Sequence, residues 1–539
     1  MPSVARGHPI TAPVVESAPP AATEAPATPI AAARPAAVET RRERVLQAAL
    51  DAVRFPLTRL VRSVADRLTM QPSEVSLATL EVEVRELLVA LGRDLLTECV
   101  RLRGTGYRGP SYVCPCGVRL EYKELAPLQQ HTWFGTITLE RAVYAGEGCA
   151  ERTHRAPLDA EWALLGTVAP PTLLPDPDGG TLAAVAPGTG PARLSPAFAA
   201  VVVEFGARLP FAAAARLLEL ALGPQAHLAP NTIGTYTKAA GQARAQQEDA
   251  ARVRLQPPTR AERQAVFDTG VPERPATAPD TLAISMDGAL ERTDDGWKEV
   301  KLGAVYDLVA RLRHGERVWV AGATTYPATL AAAQDFGRQV RATAQRRGVG
   351  WAHQVAVLGD GAKWIWKLAA RHFPQAVQIV DWFHAREHLW ALAQQLYGEG
   401  TAAAWTWLET LAGELWVART EDDIAVIARA AEEAWAVPRK DLPDETPRRT
   451  KARQQEVAKA AAYFTANARR LRYGVFREQG LPVGSGVVEG GCQSVLHTRL
   501  KRPGACWRVD SAEHLVRACA VLCSDSAVAC SHPWDPLAS

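Results

Sequence analysis

Two aspartates and a glutamate, far apart in the chain, carry the clearest chemical pattern. Asp287 follows the apolar run Leu282-Ala-Ile-Ser-Met286 and precedes Gly288, and Asp360 follows Val355-Ala-Val-Leu-Gly359 and precedes Gly361. A carboxylate at the end of a buried strand is held rigidly, and a neighbouring Gly lets a metal or backbone come close. Glu489 comes after the turn Gly484-Ser-Gly486, at the start of a helix containing Cys492, Gln493, Val495, Leu496 and Arg499. Mg²⁺ prefers hard oxygen ligands and keeps several waters, so a few carboxylates suffice to hold it. Two such ions about 3.5–4 Å apart can activate an attacking oxygen and stabilise the leaving one at phosphorus. Singly, each residue has a plainer reading. An Asp-Gly pair is more often a turn, and a Glu in a first helical turn is usually a dipole partner. The ordered set raises the chemical reading, mostly through the resemblance described below.

The elements that must position these acids follow from apolar patterning. Leu282–Met286, Val300–Tyr306 and Val318–Thr324 read as strands. A helix over about Ala328–Arg347, a strand Gln354–Leu358, a helix from Lys363, a strand Val377–Val380 and a helix from about Ala385 follow. Three strands and then αβαβα is the order of an RNase H-like core. The expected fold class is α/β, with an RNase H-like core interrupted by an all-α insertion and preceded by helical, β-ribbon and helix-turn-helix regions. The core's first part is expected over 281–395, a Trp-containing insertion over 396–480, the Glu489 helix over 481–525 and a tail over 526–539.

Upstream, 1–40 is Ala- and Pro-rich and reads as a disordered arm. In 41–103, Leu77, Leu80, Val84, Leu87, Leu88 and Leu91 recur at helical spacing, which suits a packing or oligomerisation module. Residues 104–168 read as a ribbon of short strands, and 169–194 and 251–280 as linkers. Between them, 195–250 holds an amphipathic helix, a break at Gly223-Pro224 and a second helix opening at Pro230-Asn231-Thr232. That is consistent with a helix-turn-helix presenting Asn231, Thr232, Thr235 and Lys238 to a DNA groove, although compact helical hairpins are common in other settings.

Composition constrains the rest. Hydrophobic residues make up 47% of 539, enough for several cores. The net charge of +3 is small for this length, so any DNA surface must come from local clustering. Such clusters occur at Arg448, Arg449, Lys451, Arg453, Arg469, Arg470 and Arg472, and at Arg499, Lys501, Arg502 and Arg508. Trp507 beside the second cluster is a candidate for stacking on an unpaired base. Charged residues interrupt the apolar stretch Phe198–Leu222, which argues against a membrane span. No secretory pattern stands at the N-terminus, and nine scattered cysteines do not form a disulfide framework, so a reducing cytoplasm is expected.

The motifs Ile284-Ser-Met-Asp287-Gly, Trp297-Lys-Glu-Val-Lys301, Leu358-Gly-Asp360-Gly-Ala-Lys-Trp364-Ile-Trp366, Asp381-Trp-Phe-His384-Ala-Arg-Glu-His388-Leu and Gly484-Ser-Gly-Val-Val-Glu489 together resemble the ISKra family of bacterial insertion-sequence transposases. That family is similar to the Mutator-like group of DDE transposases, and the resemblance covers about Gly104–Leu522. It implies a metal-binding triad of Asp287, Asp360 and Glu489, with Mg²⁺ or Mn²⁺ as cofactor. The implied activity is cleavage of DNA at the ends of an insertion sequence and strand transfer to a target. The implied partners are double-stranded terminal inverted repeats and target DNA, in an assembly of two or more chains in the bacterial cytoplasm, at the nucleoid when DNA-bound. Asp381 and His384 match an Asp-x-x-His element near the site; the plainer alternative is a hydrogen bond capping a helix. His388 reads as a surface or packing residue. Such transposases carry a ribbon with two cysteine pairs, which brings Cys114, Cys116, Cys149 and His154 forward as zinc ligands. This chain departs from the pattern: its first pair is Cys-x-Cys, and Ala145 or Gly146 stands where a cysteine is expected. A degenerate ribbon is therefore preferred to Zn²⁺ binding. The rival reading is a DNA-binding protein of the same fold without catalysis; a glycosidase would leave the basic clusters unexplained.

Overall fold

The computed structural model describes residues 76–147, 154–161, 194–254, 276–314, 316–436 and 447–525, with scattered positions between 43 and 69. The expected arm, most of both linkers, the tail and Cys149 lie outside the described residues. The chain is mixed α/β. Among the described residues, no helix is long and apolar enough to cross a membrane.

Helix α1 (Leu77–Arg103) leads into a four-stranded antiparallel sheet, β1 (Ser111–Val113), β2 (Arg119–Thr132), β3 (Gly135–Ala145) and β4 (His154–Arg155). The ribbon is larger than expected, since β2 and β3 run 14 and 11 residues. Their period-2 burial explains it: Leu128, Ile137 and Leu139 point to one core with Val100 of α1, while alternate residues face out. A short helix α2 (Pro157–Glu161) follows.

Helices α3 (Pro196–Arg208), α4 (Phe211–Leu222) and α5 (Pro230–Arg254) form the next unit around Phe198, Val202, Leu218 and Ile233. They are packed directly on the second sheet's domain. A Cβ added at Gly241 of α5 would lie 1.6 Å from the His514 carbonyl oxygen, so only Gly permits this helix crossing. Buried ions reinforce it: Arg517 pairs with Glu248 of α5 and donates to Glu513 at 2.6 Å, and Arg244 donates to Glu248 at 2.8 Å.

The second sheet has the strand order β10-β9-β5-β6-β7. Its members are β5 (Thr281–Thr293), β6 (Gly296–Arg313), β7 (Glu316–Thr325), β9 (Gln354–Gly359) and β10 (Val377–Val380), while β8 (Ala328–Thr329) pairs with β6. β5, β6 and β7 are antiparallel neighbours, and β9 and β10 add to β5 in parallel. Helices α6 (Ala333–Arg346) and α7 (Lys363–His372) are the crossovers. The helix expected from Ala328 starts at Ala333 because β8 takes its first residues. β5 was expected to stop at Met286 but continues to Thr293. Its first half, Leu282–Met286, is buried throughout, as befits a strand covered on both faces. From Asp287 the burial alternates, because the strand leaves β9 and continues as a hairpin with β6 alone.

After β10 come α8 (Trp382–Tyr397), α9 (Ala402–Val417), α10 (Glu421–Ala436), α11 (Pro447–Asn467) and α12 (Tyr473–Glu478). The described part of the expected insertion is thus helical, and Leu408, Leu415, Ile424 and Phe464 extend the sheet's core into it. The single final helix expected is instead two. α13 (Gly486–Gly491) runs on into a π-helical turn, Cys492–His497, and α14 (Val509–Cys523) follows a loop.

Candidate metal centre at the carboxyl ends of the parallel strands

The sheet register places three acids just beyond the last parallel pairs. Ser285 of β5 is level with Leu358 of β9, and Asp287 and Asp360 each stand two residues further on. Gly359 is level with Val380 of β10, and Asp360 and Asp381 are the next residues on each chain segment. All three therefore lie at the end of the sheet where the parallel pairing stops. Asp287 is therefore not at a strand end, as the Asp-Gly pair implied, but at the point where β5 loses one neighbour.

Each acid is fixed differently. Asp287 Oδ1 accepts the Gly288 amide at 2.7 Å, and its Oδ2 accepts from the Cys492 thiol at 3.4 Å. Burial first, then the charge and hydrogen bond of Asp287 and the charge of Glu489, push the Cys492 thiol up, so it stays a donor. Asp360 Oδ1 accepts the Ala362 amide at 2.8 Å, and its main-chain oxygen accepts from the Tyr463 hydroxyl at 3.2 Å. Gly361 makes that turn with φ +105°, and a Cβ there would meet the Tyr463 ring at 2.8 Å. Burial and then the Asp360 and Asp381 carboxylates hold the Tyr463 phenol well above its ordinary range.

Asp381 is fully buried at the N-cap of α8. Its Oδ1 accepts the His384 amide at 2.8 Å, and its Oδ2 accepts the Ser485 amide. The capping role is thus real, and the same carboxylate ties β10 to the Gly484-Ser-Gly486 turn. That turn also accepts the Trp382 amide on Val483 O at 2.8 Å. Ser485 in turn donates its hydroxyl to Glu489 Oε1 at 3.0 Å.

These contacts bring Glu489 into the cluster. Ligating atoms of Asp381, His384 and Glu489 lie within 4.8 Å of one another. Asp287 and Glu489 both act on Cys492, which the π-helical turn presents towards β5. The tightest grouping is therefore Asp381–His384–Glu489 rather than the triad read from the sequence. His384 Nδ1 also lies 3.2 Å from Glu387 Oε2. Among the described residues, no Lys or Arg forms an ion pair with Asp287, Asp360, Asp381 or Glu489. Acidic groups gathered without a protein cation suit a bound divalent ion. The hard oxygen donors suit Mg²⁺ or Mn²⁺.

Other expected site residues fall elsewhere. Asn231 and Thr235 are exposed near the start of α5, with Thr232 and Lys238 partly covered. Lys501 and Arg502 are exposed on the loop after the π-helical turn. Arg499 is a correction: it is 3% exposed, donates to the Gly206 carbonyl at 3.0 Å and stacks between Phe211 and Trp507. Burial lowers its pKa to about 10. It clamps α3 and α4 to the core and cannot reach a phosphate from there. Trp507 is partly buried beside it. Its indole donates to Leu500 O at 3.2 Å, and its backbone pairs with the β5–β6 hairpin. Arg470 likewise packs over Trp366 and donates to Gln378 at 2.8 Å. His388 stacks on Tyr463, ring centroids 3.9 Å apart.

Cys114 and Cys116 are joined in a disulfide, closed by the turn in which the Gly117 amide donates to Cys114 O. In that form neither offers a thiolate to zinc, and the bond departs from the reduced cysteines expected. His154 lies on β4. Sequence reasoning missed Ser485, Tyr463 and the role of Cys492. Ser485 stood inside a recognised turn; Tyr463 carried no local signal.

No protein-family model matches this chain, and no curated protein matches it in sequence.

Proposed function

We propose that the chain is a DNA transposase with an RNase H-like core, cleaving phosphodiester bonds at the ends of an insertion sequence and joining them to target DNA. One observation carries the reading: Asp287, Asp360 and Asp381 all follow the last paired positions of the parallel strands, and the Asp381–Ser485 bond holds the turn that sets Glu489 beside Asp381. The strand order β10-β9-β5-β6-β7, three antiparallel strands extended by two parallel ones, supports an RNase H-like assignment. Asp287, Asp360 and Glu489 would hold Mg²⁺ or Mn²⁺. When bound, these ions supply an activated attacking oxygen and a stabilised leaving oxygen. Asp381 holds the Glu489 turn in place, and His384 stands where it can meet the scissile phosphate. Lys501, Arg502 and the exposed start of α5 offer contacts to duplex DNA.

The test uses DNA carrying the sequences that flank the reading frame, with Mn²⁺ or Mg²⁺. The expected result is metal-dependent nicking and strand transfer, reduced at least a hundredfold by Asp287→Asn or Glu489→Gln with DNA binding retained. Strand transfer at the wild-type rate in either variant refutes the triad. Binding without nicking by the wild-type chain favours the non-catalytic DNA-binding alternative.

A further inference from the structure

Helix α1 is apolar along its length but covered along only part of it. Towards its C-terminus, Leu96 and Val100 pack with Leu128, Ile137 and Leu139. Towards its N-terminus, Leu77, Leu80, Val84, Leu88 and Val89, with Phe134 from the β2–β3 turn, line an open groove of about 490 Å³. Leu77 and Leu88 are 73% and 50% exposed. Leaving such a groove in water forfeits the largest favourable term in folding and association.

The preceding segment has a matching face. Leu46, Leu50, Val53, Leu57, Leu60 and Val64 follow one another in alternating steps of four and three, the spacing of a helical seam. Its described members Leu46, Leu50 and Leu57 are exposed. The charges match as well. Arg54, Arg59, Arg62 and Arg67 dominate the end of this segment, whereas the first turns of α1 carry Glu81, Glu83 and Glu86 against Arg85. Two apolar faces of opposite charge in one chain, the groove open and the described seam residues exposed, are satisfied by reciprocal exchange about a two-fold axis.

We propose that this surface is a self-association site, in which the segment around 43–66 of a second copy of this chain lies along the α1 groove, and the reverse. The contact needs neither DNA nor metal and is independent of the proposed catalysis.

Light-scattering mass measurement on the full chain, without DNA, tests it. The wild-type protein is expected at twice the chain mass at micromolar concentration. Leu77→Glu with Leu88→Glu alters residues exposed in the single chain, so the circular dichroism melt should stay unchanged while the mass falls to one chain. Glu81→Arg with Glu86→Arg should weaken association at least tenfold, and adding Arg59→Glu with Arg62→Glu should restore it. A single-chain mass for wild type, a dimer indifferent to the leucine pair, or a charge swap that restores nothing overturns the proposal.

Discussion

Replacing Asp381 by Asn separates a strap from a member of a charge cluster. The wild-type carboxylate accepts two backbone amides, those of His384 and Ser485, in a fully buried position. Asn keeps the shape but has one acceptor oxygen, so its amide group must face one of those N–H groups donor to donor. Losing a charge-assisted hydrogen bond there costs about 2–3 kcal/mol. The substitution also removes one negative charge whose oxygen lies within 4.8 Å of a Glu489 oxygen. At an effective dielectric of about 20, repulsion at roughly 5 Å is about 3 kcal/mol. With divalent ions chelated, the two effects nearly cancel. On the proposed metal site, saturating Mg²⁺ would already neutralise the repulsion in the wild type, and the full hydrogen-bond cost of about 2–3 kcal/mol emerges.

Amide hydrogen exchange reads this locally, which suits a chain too large for a single unfolding equilibrium. The Ser485 and His384 amides and the α13 backbone should exchange at nearly wild-type rates in EDTA. In Mg²⁺ the variant should exchange roughly 30- to 140-fold faster than wild type, since about 1.4 kcal/mol is a factor of ten. Equal acceleration with and without the ion would mean that Asp381 does not feel a cation. No acceleration in either condition would mean the strap between α8 and the Glu489 turn does not exist.

Two other perturbations address the fold and its ionisable groups. Arg499→Ala should lower stability by about 3 kcal/mol through loss of the Gly206 hydrogen bond and the stacking on Phe211 and Trp507, yet leave the salt dependence of DNA binding unchanged; a shallower salt slope without loss of stability would return Arg499 to the DNA surface. His372 is held down to about 4, first by burial and then by Arg341, Arg371 and Arg338. Its unfolded pKa is about 6.5, so the unfolded chain takes up the proton first, and stability present above pH 6.5 drains as pH falls towards 4. His372→Gln should flatten the pH dependence of the thermal midpoint in that window, and an unchanged slope would contradict the assignment.

How much of this was legible in the sequence depended on whether the signal was local. The buried strands around Asp287 and Asp360 announced themselves because strands covered on both faces read as apolar runs. The outer half of β5 did not, since Asp287-Gly288 looked like a turn and the residues beyond alternate in polarity. Gly484-Ser-Gly486 was recognisable as a turn, but the Ser485 bond to Asp381 spans 104 residues. Tyr463 reaches Asp360 across 103 and had no nearby marker. Arg499 was misread for a related reason. A basic run looks the same whether its members face solvent or lie between Phe211 and Trp507, which reach it from opposite directions along the chain.

That dependence on distant contacts gives the helical excursion after β10 a mechanical role. It leaves the sheet at Asp381 and returns at Ser485, and the Asp381–Ser485 bond closes it at its base. Within it, Tyr473 donates to Val380 O at 2.9 Å, and Tyr463 to Asp360 O at 3.2 Å, so it also grips the ends of β10 and β9. Closing so long a loop is costly in entropy, although the cost grows only slowly with length. Here the closure falls on a buried carboxylate beside Glu489. The excursion cannot shift at its base without moving the Glu489 turn, and it cannot shift at Tyr463 without disturbing the Asp360 turn. Any load placed on these helices therefore arrives at two of the acids.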